Sequence, residues 1–109
     1  MKLLTKEIIK KLPKLYSQET NPDPMVVAKF FTPDANWTWY VIEGSPEQTV
    51  QSDDDYIFFG LVVGLETELG NFALSDLQKV RGKLGLPIER DMYWTPKPLS
   101  EVRKLHARR

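Results

Sequence analysis

The segment Tyr56–Leu65 limits the fold more than any other part of the chain. Its ten residues carry no charge and are apolar at odd and even positions alike, interrupted only by Gly60 and Gly64. That is about half of the ~20 residues that a membrane span needs. Residues 56–63 read instead as a strand buried on both faces, which needs neighbours on either side and cover above and below. Gly60 inside it signals a bulge or a close approach of another backbone.

The neighbours follow from pattern. Residues 25–32 are β-branched and aromatic and read as one strand. Pro33 presets a turn through Asn36, and residues 37–43 read as the returning strand of a hairpin. Alternation puts Trp37, Trp39 and Val41 on one face and Thr38, Tyr40 and Ile42 on the other. Residues 68–73 give a fourth strand, and 88–93 a short edge strand.

Helical spacing of Leu4, Ile8, Ile9 and Leu12, with Thr5 as cap and Pro13 as stop, predicts a helix over 3–12. Ser75 to Gln78 has the form of a capping box, opening a helix to about Arg81 that ends at Gly82. Pro98 opens a last helix with Leu99, Val102 and Leu105 inward. Residues 13–24 and 44–55 read as flexible loops, the first anchored by Leu15 and Tyr16. A length of 109 residues suits one core. The expected fold is a single α+β domain, a four-stranded antiparallel meander with short flanking helices.

Composition removes several chemistries. There is no cysteine, and His106 is the one histidine. Thiol catalysis, disulfides, Cys-ligated zinc and two-histidine metal sites within one chain are therefore excluded. The glycines match neither dinucleotide-binding nor P-loop spacing. No cofactor is expected. The first residues show no signal-peptide pattern, so a cytoplasmic setting without membrane attachment is expected.

Charge is segregated. Residues 30–78 contain no Lys or Arg but nine acids: Asp34, Glu43, Glu47, Asp53, Asp54, Asp55, Glu66, Glu68 and Asp76. The flanks hold all 15 basic residues and the other six acids. An acidic surface of this kind steers a basic protein partner. The candidate binding residues are Asp34, Glu43, Asp53, Asp54, Asp55, Glu66 and Glu68, with Trp39 as an aromatic anchor. Arg90, between Glu89 and Asp91, is the candidate clamp for strand carboxylates. Glu66 and Glu68, two apart, are weak candidates for a metal. The aromatic strand lies inside the stretch without Lys or Arg, which argues against nucleic acid as a partner.

Several segments resemble one family. Lys29–Tyr40, Phe58–Glu66, Glu68–Leu77 and Gly85–Asp91, with the opening Met1–Glu7, are similar to the bacterial domain-of-unknown-function family DUF2958. The resemblance implies a small single-domain protein of the kind carried on plasmids and other mobile elements. It implies no activity and no catalytic residues.

The expected function is a non-enzymatic interaction protein that binds a host or defence protein through its acidic surface. Two alternatives are a small metal-assisted hydrolase using Asp34, Glu43, Glu66 and Glu68, and a nucleic-acid binder acting through the basic termini.

Overall fold

A computed structural model describes residues 1–48 and 54–107. In chain order the elements are α1 (Lys6–Lys11), β1 (Met25–Val26), β2 (Ala28–Phe31), β3 (Thr38–Glu47), β4 (Asp55–Val63), β5 (Thr67–Ala73), α2 (Leu74–Lys79), β6 (Glu89–Arg90), β7 (Lys97–Pro98) and α3 (Leu99–Ala107). The fold is α+β, as expected. An antiparallel sheet of five strands runs β5-β4-β3-β2-β6, and β1 pairs with β7 in a small second sheet. No helix among the described residues is long and apolar enough to cross a membrane.

β4 is central and has apolar side chains on both faces. On one face Phe58 packs with Phe30, Trp39 and Val41 beneath Leu3, Leu4, Leu77 and Ile88, with Ile8 and Leu12 at the margin. On the other, Leu61 and Val63 pack with Tyr40 and Ile42 beneath Val26, Leu99 and Val102. Gly60 is required by close approach: a Cβ there would sit 1.8 Å from the Tyr40 carbonyl oxygen. Opposite it, β3 carries a bulge between Val41 and Glu43.

Several boundaries differ from expectation. Residues 25–32 form two strands, because Val26 turns away to pair with Lys97 while Phe30 pairs with Trp39. Pro98 lies opposite Met25 as the last residue of a strand only two residues long, and the next N–H, that of Leu99, donates to the Pro24 carbonyl. β3 continues through Gly44, Ser45 and Pro46 to Glu47, so residues 44–47 belong to a hairpin strand. Residues 49–53 lie outside the described part.

Ser75 is not a cap. It sits within α2, where its backbone N–H and its hydroxyl donate to the buried Asp55 carboxylate at 3.0 and 2.5 Å. The helix ends at Lys79, before Gly82, because Arg81 bridges to Pro87 in extended form. Thr5 does cap α1, its hydroxyl oxygen accepting from the Ile8 N–H. Leu99 and Val102 are buried as expected, whereas Leu105 is exposed on the outer side of α3.

Candidate binding groove

The second face of the sheet is only partly covered. α3 and β1 cover its middle, and beyond them Phe59 of β4 and Leu69 of β5 lie open to a groove. The groove, about 470 Å³, is walled by residues 16–24, by Leu99 and Arg103 of α3, and by the sheet residues Ile42, Glu43, Phe59 and Leu69. Its lining is mainly apolar with a few charged groups at defined places, which is the usual make-up of a binding site.

Glu43 sets the first wall. The bulge in β3 turns its side chain inward, leaving it 2% exposed. Its Oε1 accepts the Tyr16 N–H at 2.9 Å and its Oε2 the Gln18 N–H at 2.6 Å. A buried carboxylate needs such donors, and here the loop backbone supplies them. Ser45 Oγ accepts the Leu15 N–H and Pro13 O accepts the Gly44 N–H, so the loop lies along β3. The Tyr16 side chain is 57% exposed and does not anchor the loop; its backbone does. Tyr16 adopts φ 68°, a left-handed conformation unusual for a bulky residue and a form of strain that clusters at functional sites.

Asp23 sets the second wall. Its carboxylate accepts the Ser100 N–H at 2.8 Å and the Ser100 hydroxyl at 2.6 Å, capping α3 from a loop 77 residues away in sequence. The Ser100 hydroxyl first, and its N–H second, hold the Asp23 carboxyl below the usual carboxylate range. Arg103, one turn further along α3, borders the groove, and no carboxylate among the described residues lies in ion-pair contact with it.

The residues singled out from sequence divide sharply. Glu43 lines the groove. Asp55 is buried at the start of β4, holding α2 through Ser75. Asp34 lies in the β2–β3 turn, where Oδ2 accepts the N–H groups of Leu84 and Leu86 at 2.7 and 3.3 Å. Trp39 is 8% exposed and stacks on Trp37, so it is a core residue and not an exposed anchor. Arg90 clamps no strand carboxylate; its guanidinium donates to the Lys2 carbonyl and its backbone N–H to the Met1 sulfur, holding the N-terminal segment. Asp54, Glu66 and Glu68 are exposed, and Asp53 lies outside the described residues.

Asp34, Glu43, Glu66 and Glu68 are not brought together. Among the described residues no group of three or more His, Asp or Glu side chains is placed to hold a metal. The groove residues Phe59 and Leu69 were not singled out from sequence, and Tyr16 was read only as a loop anchor. The available signal was Phe59 and Leu69 as apolar residues on neighbouring strands. Nothing local distinguishes them from core positions.

No curated protein and no solved structure matches the chain. One family model does, that of the proteins of unknown function DUF2958, and it matches residues 3–108. The chain therefore belongs to the DUF2958 family.

Proposed function

We propose that the protein is a binding module that takes up an extended, basic and apolar segment of another protein along β5 and the groove beside it. One observation carries this reading. β5 ends the sheet order, so its outer edge has no strand partner among the described residues, and its Leu69 is 42% exposed over the groove. An incoming strand adds backbone hydrogen bonds at such an edge and places alternate side chains on one face.

Charge along the β5 edge favours a basic occupant. Glu66 and Glu68 are exposed at the start of this edge, and the neighbouring strands β3 and β4 contain no Lys or Arg. The same acids discourage pairing of two β5 edges in separate copies, where like charges accumulate. In the setting that the family resemblance implies, a mobile element, the partner is a host protein.

The test is selection from a displayed library of short peptides. The expected binders carry Lys or Arg flanking an apolar residue, and they weaken as salt rises. Glu66→Lys with Glu68→Lys abolishes their binding. Peptides that bind the double variant as well as the original chain overturn the reading.

A further inference from the structure

A second concavity lies on the other face of the sheet, and its lining is chemically different. It holds about 530 Å³ between the β2–β3 turn and the segment after α2. Trp37 and Trp39 form one wall, stacked with ring centroids 5.9 Å apart and planes 25° from parallel. Trp39 is the buried member, while Trp37 is 39% exposed. Arg81 and Lys83 stand on the opposite side, and no Asp or Glu lines the cavity. Some 40 residues separate the tryptophans from these cations in sequence; the fold removes that separation.

The Arg81 guanidinium is held in place. Arg81 Nη1 donates to the carbonyls of Gln78 and Val80 at 2.9 and 2.8 Å. A guanidinium has five N–H donors, so three remain for a ligand. Neither Arg81 nor Lys83 has a carboxylate in ion-pair contact among the described residues. The turn that carries Lys83 is fixed by Asp34, which accepts the N–H groups on either side of Gly85. Asp34 occupies the space at Gly82 that a Cβ would fill, 1.5 Å from its Oδ1. Its Oδ2 faces the turn backbone, and its Oδ1 is buried against Gly82 without a hydrogen bond among the described residues.

We infer that this cavity binds a nucleotide unit, with the base against the exposed part of the Trp37 indole and the phosphate between Arg81 and Lys83. Stacking on an exposed indole accepts any base, and a fixed guanidinium beside an ammonium suits a phosphate. The same chemistry serves a free mononucleotide or one unit of a single strand. This site does not depend on the groove and β5 edge.

The experiment follows tryptophan fluorescence of the full chain during titration with 5′-adenylate and, separately, with a short oligodeoxythymidine. Saturable quenching that weakens with salt is expected with at least one of them. Quenching by both assigns the site to a nucleotide unit as such; quenching by the oligomer alone assigns it to single strands. Lys83→Glu weakens binding ~tenfold, as removal of a phosphate contact does. Arg81→Gln does the same, and Lys10→Glu on α1, a charge change elsewhere, leaves it unchanged. Trp37→Phe keeps a stacking face and retains part of the affinity, with near-ultraviolet circular dichroism checking the fold. No response to either probe overturns the inference, as does a response that Lys83→Glu and Arg81→Gln leave intact.

Discussion

The two faces of the five-stranded sheet are built from the same strands and finished differently. On the face of Phe58, the N-terminal segment, α2 and Ile88 close over the centre of the core and leave the Trp37–Trp39 cavity at its β2–β3 end. On the face of Leu61, α3, β1 and Trp94 cover the middle and stop, leaving Phe59 and Leu69 beside the groove. Apolar side chains under full cover stabilise the fold; those beyond the cover remain available to a partner. Binding capacity is thus set by where the helices end, more than by which residues the strands contain.

Four measurements bear on that contrast. The largest effect belongs to the closed face. Phe58→Ala removes a fully buried ring and costs about 3–5 kcal/mol in urea unfolding. Next is the groove wall: Glu43→Ala strips the Tyr16 and Gln18 N–H groups of their acceptor and costs about 1–3 kcal/mol. Amide exchange at residues 16 and 18 rises in that variant; unchanged exchange would show that the loop is held by something else.

A smaller effect is expected at Asp23, and it depends on pH. Its carboxyl is held below the usual range by Ser100, so its contribution is present above the unfolded-state value and is lost as pH falls through the lowered folded-state value. The protection of the Ser100 amide, relative to its intrinsic exchange rate, therefore falls on acidification, and Asp23→Ala removes that dependence. The smallest change in stability is expected for Leu69→Ala on the open face, within ~0.5 kcal/mol. Peptide binding should nevertheless fall in this variant. A loss of stability like that of Phe58→Ala would erase the distinction between the faces.

Much of the architecture was legible because β4 left few choices. Its apolar character on both faces called for a central position, and alternation correctly divided Trp39 and Val41 from Tyr40 and Ile42. Gly60 marked a real close approach. What escaped was decided by partners distant in sequence. Ser75 has the local form of a cap, but a buried Asp55 competes for its hydroxyl and N–H. Glu43 and Asp55 belong to the same acidic stretch as Glu66 and Glu68, yet backbone and hydroxyl donors from other segments take them inside. Counting charges along a chain does not separate carboxylates that hold the fold from those that face solvent. The groove was invisible for the same reason: its walls come from residues 16–24, β3–β5 and α3, and none of these carries a local signature of the other two.

The attachment of residues 16–24 has a thermodynamic consequence. One carboxylate ties this loop to the sheet and another ties it to α3, so both rims are set when the chain folds. A partner then meets a mould whose ordering entropy has already been spent, and loses mainly its own freedom on docking. Calorimetry should show a heat-capacity change that follows the apolar area covered at Phe59 and Leu69, without the larger excess of a coupled folding step.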